Sequence, residues 1–243
     1  MKVSVVCCYY NELNLLKKKL YRSLNEINKL INPSEIIIVD NNSNDGTQEY
    51  LKNIGTEFKN LKIIFNEKNL GKGGSIKKAS KKASGDIIAI FDIDEYEVND
   101  LKNCINEVKN NKDLVVGSRL INTNPNFLYK KNLYGVMLLT KLINLLFNLN
   151  LTDSAGATKV FKKKSFEMSI IKSNGFDFEF ELICKFAKLN FKVDEISSKY
   201  HPRSYLEGKK ISPFIDGLKI FMIILITFLT PKGSCLNKSN NYY

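Results

Sequence analysis

Five short apolar runs punctuate the first half of the chain: Val3–Tyr9, Glu35–Asp40, Leu61–Asn66, Asp86–Phe91 and Leu114–Gly117. The segments between them, such as Asn14–Leu30 and Thr47–Phe58, carry apolar residues three and four apart, the spacing of an amphipathic helix. Strand-length runs alternating with helical ones predict an α/β domain with a largely parallel sheet. In such sheets ligands bind where the loops gather, at the carboxyl ends of the strands. Each predicted strand ends in polar residues: "YYNE", "VDNNSNDGT", "NEKNLGKGG", "FDIDE" and "VGSR". Five such sets at one edge of one sheet predict a site there.

After Arg119 the pattern changes. Leu128–Leu151 is strongly apolar, with Lys141, Asn144 and Asn148 as a narrow polar stripe at helical spacing. A second run, Ile220–Thr230 ("IFMIILITFLT"), is closed by Pro231 and Gly233. Both are shorter or more interrupted than the ~20 apolar residues of a membrane span. They read either as core helices or as helices lying on a membrane, with one short span as a further version. "KKASKKAS" (Lys77–Ser84) is expected to set its lysines along one solvated helix side. The chain divides into a main domain, residues 1–212, and a C-terminal apolar helix with a polar tail, residues 213–243.

Composition narrows the setting. The chain has 243 residues, 44% of them hydrophobic, and carries 37 basic against 25 acidic residues for a net charge of +12. That excess points to an anionic partner: nucleic acid, anionic lipid or a phosphorylated substrate. The five cysteines are odd in number and lack C-x-x-C spacing, which argues for a reducing compartment. "VSVVCCYY" has no small-residue cleavage site and reads as a first strand rather than a signal peptide.

In this basic chain, "AIFDIDEYE" runs from a buried strand straight into acids. Asp92 and Asp94 cannot be buried there as bare charges. Either they cap the following helix, or they turn together towards a hard cation such as Mg²⁺, which takes its remaining ligands from phosphates. Asp40 stands at another strand end, before the turn residues Asn44, Asp45 and Gly46, where an acid can accept from a nucleobase or ribose or close an Asx-turn. Glu12 follows the first strand in the same way. "NLGKGGS" places three glycines and Lys72 at a further strand end, where the backbone can approach a ligand closely, although it is neither a P-loop nor a G-x-G-x-x-G fingerprint.

Taken in order and spacing, "VSVVCCYYNE", "EIIIVDNNSNDGT", "NLGKGGS", "GDIIAIFDIDEYE" and "VVGSR" resemble the inverting nucleotide-sugar glycosyltransferases of family 2 with the GT-A fold, a Rossmann-like, mostly parallel sheet with flanking helices. "TDSAGATKVFKK", "GFDFEFELICKFAKLNFKVDEI" and "YHPRSYLEGKKI" look like the dolichol-phosphate mannosyltransferase-like, polyprenyl-phosphate branch. The resemblance covers Val3 to about Lys219.

The resemblance implies a donor, GDP-mannose or a UDP-hexose, and a divalent metal, Mg²⁺ or Mn²⁺, held by Asp92 and Asp94. Cys8, Tyr10 and Glu12 match the nucleotide-contacting loop, Asp40 and Asn41 the base- or ribose-recognising pair, and Lys72 and Ile93 further substrate contacts. Arg119 matches a substrate-contacting arginine, and Arg203 and Lys209 the basic loop over donor and lipid phosphate. Asp92, Asp94 and Arg203 would carry catalysis. The implied acceptor is a polyprenyl or dolichyl phosphate. The implied setting is the cytoplasmic face of a membrane, with a separate membrane-anchoring subunit as a further partner and no nucleic acid, in cell-envelope polysaccharide synthesis. Cys8 departs from the family's usual proline and Asn41 from a common second aspartate. "DIDEYEVNDL" is one residue short, so Glu95 follows Asp94 directly and the third metal contact is unassigned.

The chain has only three arginines, Arg22, Arg119 and Arg203. Two of them fall in candidate phosphate-binding motifs, where a planar fork would grip phosphate in a way lysine does not copy. Its single histidine, His201, is read as a hydrogen-bonding or packing residue rather than a base, because a lipid phosphate already carries negative charge. A soluble enzyme acting on a saccharide or protein hydroxyl would instead need a carboxylate base, Asp177 or Glu181. A nucleic-acid-binding protein is the third reading, disfavoured because acids at the ligand edge repel phosphate.

Overall fold

The chain alternates its side chains between two hydrophobic cores. On β1 (Val3–Tyr9), Val3, Val5, Cys7 and Tyr9 enter one core and Val6 the other; on β2 (Glu35–Asp40), Ile36 and Ile38 face the first, Ile37 and Val39 the second. β4 (Ile87–Ile90) repeats the pattern with Ile87 and Ala89 against Ile88 and Ile90. A strand buried on both faces is apolar along most of its length, which is why these runs are nearly continuous; Ser4, the exception on β1, donates its hydroxyl to Glu35. The computed structural model describes residues 1–93, 96–121, 130–202 and 213–237.

Together with β3 (Leu61–Phe65), β5 (Leu114–Ser118), β6 (Lys159–Lys162) and β7 (Val193–Ser197), these strands form a seven-stranded sheet in the order β3-β2-β1-β4-β6-β5-β7. All pairs are parallel except those of β6, which runs antiparallel between β4 and β5. The sheet is therefore mostly parallel and flanked by helices, as the sequence predicts. One antiparallel strand brings the end bearing Lys159 to the carboxyl end of β4, with Lys159 paired opposite Ile90.

The first core holds α1 (Leu13–Leu30), α2 (Thr47–Ile54) and α4 (Val98–Lys109). Leu16, Leu20, Leu24 and Ile27 make one buried stripe on α1, each contributing about 1.5–3 kcal/mol of burial. The second core holds α3 (Gly71–Lys82), α7 (Phe178–Lys188) and part of α5 (Lys130–Phe147) and α8 (Pro213–Leu229). Helices thus change faces between α2 and α3, while the strand order reverses around β1. That topological switch opens a crevice outside the carboxyl ends of β1 and β4.

The two apolar helices have mixed surroundings. Ile143 on α5 and Ile220 and Ile224 on α8 are buried in the second core. Opposite them, Leu138 (70%), Leu145 (80%), Phe214 (84%) and Leu229 (77%) stand exposed. Lys188 of α7 caps the end of α8, donating to the carbonyls of Thr227 and Phe228. Asn144 is not part of a solvated stripe: its Nδ2 donates to Leu151 O at 2.7 Å and its Oδ1 accepts from Leu151 N at 3.0 Å. Among the described residues no helix is long and apolar enough to cross a membrane. After α8 the chain returns to the body, where the backbone N–H of Ile170 donates to Cys235 O and that of Asn237 to Met168 O.

Candidate active site

The loops after β1 and β2 are laced together. Asn11 N–H donates to Ser43 Oγ (2.9 Å), Asn44 N–H to Asn11 Oδ1 (2.9 Å), Glu12 N–H to Thr47 Oγ1 (3.1 Å) and Leu13 N–H to Asp45 Oδ2 (3.0 Å). The strand ends themselves are in register, Tyr9 beside Asp40 and Asp40 beside Phe65. Tyr10 and Glu12 lie half-buried just beyond that edge.

Asp40 is buried. Its Oδ2 accepts from Ser43 N (3.0 Å) and from Gln48 Nε2 (2.9 Å), while Oδ1 is buried without a hydrogen-bond partner. The acid therefore closes a local turn with one oxygen and keeps the other for a donor it does not have here. Leaving a buried acceptor unmatched costs about 1–3 kcal/mol, which a ligand N–H or O–H would relieve. Asn41 has a different position. Its Oδ1 accepts from Asn66 Nδ2 (3.0 Å) and Leu70 N (2.8 Å), and its Nδ2 donates to Asn69 Oδ1 (2.8 Å). It ties β2 to the loop that enters α3.

The glycines of the first turn of α3 serve the protein's own packing. A Cβ at Gly71, where φ is +74°, would fall 2.3 Å from Asn174 O, and one at Gly73 would meet Phe178 Cβ at 2.4 Å. The backbone that comes close is thus that of residues 174–178. Later in α3 Lys81 and Lys82 are solvated, but Lys77 and Lys78 are half-buried and hydrogen-bond to Lys172 O (3.0 Å) and Asn66 Oδ1 (2.9 Å). The expected solvated stripe is therefore only half of one.

Beside the glycines, four charges alternate in sign. Lys72 Nζ lies 2.8 Å from Asp92 Oδ2 and 2.8 Å from Glu179 Oε1, and Glu179 Oε2 is 3.4 Å from Nζ of Lys159. Lys159 is fully buried and also donates to Gly156 O. Burial alone would neutralise Lys72, but Asp92 and Glu179 outweigh it and hold its pKa well above the ordinary lysine value. Burial likewise opposes charge on Glu179, yet Lys159 and Lys72 keep its pKa low; for Lys159 burial prevails and its pKa is lowered. Cys8 adjoins this group. Burial pushes its thiol pKa up, Cys7 adds to the rise, Lys72 opposes it and Asp92 reinforces it, which favours the neutral thiol. Ile93 points into the first core.

Asp92 fits a divalent cation. It is a hard oxygen donor at the sheet's ligand edge, and a cation, the Lys72 ammonium, already stands on its Oδ2. Among the described residues no group of three or more His, Cys, Asp or Glu forms a metal cage. A Mg²⁺- or Mn²⁺-type ion held there would take its remaining ligands from phosphate oxygens and water. Asp94, Arg203 and Lys209 lie outside the described residues.

Arg119 is drawn into the protein. Its Nε meets Asp153 Oδ2 at 2.6 Å and its NH2 group meets Oδ1 at 2.9 Å; the guanidinium carbon lies 5.1 Å from the Tyr200 ring centroid. Tyr200 pairs with Tyr96, whose hydroxyl accepts from Ala157 N (3.1 Å). Sequence reasoning missed Asp153, Lys159, Glu179, Tyr96 and Tyr200. The available signal was their place within "TDSAGATK", "GFDFEFE", "DEYE" and "YHPRSY".

The family profile of glycosyl transferase family 2 matches residues 4–169 of this chain. The chain belongs to glycosyl transferase family 2. This family 2 glycosyltransferase is 22% identical over 191 residues to glycosyltransferase AglJ of Haloferax volcanii, covering 78% of this chain and 61% of AglJ. It is 30% identical over 208 residues to an uncharacterized glycosyltransferase of Methanocaldococcus jannaschii, covering 82% and 70%. To the low-salt glycan biosynthesis hexosyltransferase Agl6 of Haloferax volcanii it is 27% identical over 197 residues, covering 79% of this chain and 45% of Agl6. The chain thus spans less than two thirds of AglJ and of Agl6. Its fold matches glucosyl-3-phosphoglycerate synthase from Mycobacterium tuberculosis in complex with Mn²⁺, UDP and phosphoglyceric acid, with a TM-score of 0.70 at 16% identity, covering 95% of this chain and 79% of that one. The GT-A fold and glycosyltransferase membership expected from the sequence both hold.

Proposed function

We propose that this glycosyltransferase moves a sugar, with inversion, from GDP-mannose or a UDP-hexose to a polyprenyl or dolichyl phosphate, as in the dolichol-phosphate mannosyltransferase-like branch. The observation that supports the acceptor choice is that Asp177 and Glu181, the acids a hydroxyl acceptor would need as base, each commit one oxygen to backbone N–H groups. Asp177 Oδ1 accepts from Gly175 N (3.1 Å). Glu181 is buried, with Oε2 accepting from Lys172 N (3.0 Å) and Ser173 N (2.7 Å). Glu179 stands between two lysines that hold it charged and unbasic. An alcohol must lose a proton as it attacks; a lipid phosphate need not. Its oxygen forms the new bond to the anomeric carbon as the bond to the nucleotide's diphosphate breaks, and the electron pair leaves with the nucleoside diphosphate.

Asp92, with Asp94, would hold Mg²⁺ or Mn²⁺, which when bound neutralises charge on the donor's diphosphate. Asp40 offers Oδ1 to the nucleoside, and the laced loops of Asn11–Leu13 and Ser43–Thr47 keep that edge in place. The exposed apolar face of α5 and α8 supports residence at a membrane surface, on its cytoplasmic side, with or without an anchoring subunit.

The test is single-turnover transfer from UDP- and GDP-sugars, with Mn²⁺, to a short polyprenyl phosphate and to the matching polyprenol. Product from the phosphate alone, lost with EDTA and in Asp92→Asn, is expected. Transfer to a hydroxyl acceptor but not to the phosphate would overturn the reading.

A further inference from the structure

The carboxylate that fits the metal already has a cation on it. Lys72 bridges Asp92 and Glu179 at 2.8 Å each, and Glu179 has Lys159 on its other oxygen. The row therefore reads minus, plus, minus, plus, and balances as it stands. A divalent ion on Asp92 would place two more positive charges beside the Lys72 ammonium, in a setting where water screens them poorly.

We propose that Lys72 is a built-in competitor for the metal and that Glu179 is the positioning residue that receives its ammonium when the metal binds. This rests on the metal-dependent reading of Asp92. The helix bearing Lys72 cannot recoil as a body, because Gly71 and Gly73 press against Asn174 and Phe178. The lysine's four-carbon stem can move instead, and Glu179 sits on the far side of the ammonium, so release from Asp92 leaves the charge paired. Without Glu179 the ammonium would keep Asp92 as its carboxylate partner among the described residues and would hold it against the metal. The donor's diphosphate supplies negative charge to both cations at once. Metal and nucleotide therefore bind cooperatively: each is weak alone and tight with the other.

The probes are Mn²⁺ alone, and Mn²⁺ with UDP or GDP, with free Mn²⁺ followed by its paramagnetic resonance signal and folding by thermal denaturation. In wild type the nucleotide should tighten Mn²⁺ binding by at least about tenfold, within the usual range of coupling between sites. Lys72→Met should bind Mn²⁺ alone about tenfold tighter than wild type and lose most of that coupling; Lys72→Gln serves the same purpose if the methionine variant does not fold. Glu179→Gln should bind Mn²⁺ about tenfold more weakly than wild type, and should have no further effect once Lys72 is methionine. The inference is overturned if Lys72→Met and Lys72→Gln bind Mn²⁺ no tighter than wild type. It is also overturned if Glu179→Gln weakens binding equally in both backgrounds, since Glu179 would then attract the metal by its own charge. Undiminished Mn²⁺ binding in Asp92→Asn would overturn the metal reading itself.

Discussion

Arg119 and Asp153 form a buried fork, two parallel bonds of 2.6 and 2.9 Å between guanidinium and carboxylate, with Arg119 N–H adding a third to Asp153 Oδ2 at 3.1 Å. Burial opposes charge on both, yet each holds the other ionised: the arginine pKa is raised and the aspartate pKa lowered. The pair joins the end of β5 to the loop before β6, and Tyr200 stacks over it.

Removing one member of such a pair leaves the other buried and uncompensated, at a cost of about 3–5 kcal/mol. Arg119→Met should lose stability on that scale in urea denaturation. Arg119→Lys should lose less but still measurably, since lysine cannot make the fork. A stability unchanged in both variants, with weaker donor binding, would return Arg119 to the role of a substrate contact.

Acid sensitivity has a visible source at the opposite edge of the sheet. Burial would raise the Glu35 pKa, but Lys62, Ser4 and Ser84 outweigh it and lower it from 4.5 to about 2. Lys62 Nζ lies 2.6 Å from Oε2, and Ser4 Oγ, Ser84 N and Ser84 Oγ all donate to Oε1. Because the folded pKa is depressed, this stabilisation is complete above pH 4.5 and is lost as the pH falls towards 2. The stability advantage of wild type over Glu35→Gln should therefore be constant from neutrality to about pH 5 and shrink below it. An advantage independent of pH would show that the carboxylate's charge contributes nothing.

The exposed face of α5 and α8 should act as a membrane-contact surface. Wild-type protein should pellet with anionic liposomes, and salt should weaken that association without abolishing it, since apolar burial is not screened. Changing Leu138, Leu145, Phe214 and Leu229 to serine should reduce pelleting with little change in thermal stability, because these side chains are already in solvent. Complete release of wild type by about 0.5 M salt would show attachment by charge alone.

His201 is exposed, and its Nε2 is 3.7 Å from Glu97 Oε1. His201→Ala should leave the transfer rate within a few-fold, with an unchanged pH profile, if the acceptor is a phosphate. Arg203→Lys should cost roughly ten- to a hundredfold, the loss of one charge-assisted bond formed in the transition state. Single-turnover rates across pH 5.5–8.5, a range flanking the ordinary histidine pKa of about 6.5, compare the two. A thousandfold loss in His201→Ala would make the imidazole a base and the acceptor a hydroxyl.

The alternation of strands and helices, and the gathering of Asp40 and Asp92 at one edge, were legible from the sequence alone. The reason is physical: a strand covered on both faces is apolar along most of its length, and charged residues gather where it ends. The motifs at those strand ends carried the resemblance to glycosyltransferases, and the family match over residues 4–169 established membership. The partners of the charges were not legible. Nothing local in "NLGKGGS" says that its glycines face residues 174–178 or that Lys72 bridges Asp92 and Glu179, because each of those contacts joins remote parts of the chain. Glu179 and Glu181 make the point most sharply. They lie two residues apart on α7, about 200° around a helix, so only one can face the sheet edge. Phe178 packed on Gly73 sets that rotation: Glu179 turns to the lysines, and Glu181 turns to the backbone of Lys172 and Ser173. Periodicity identified the helix, but its rotation was decided by packing between side chains that only the tertiary structure brings together.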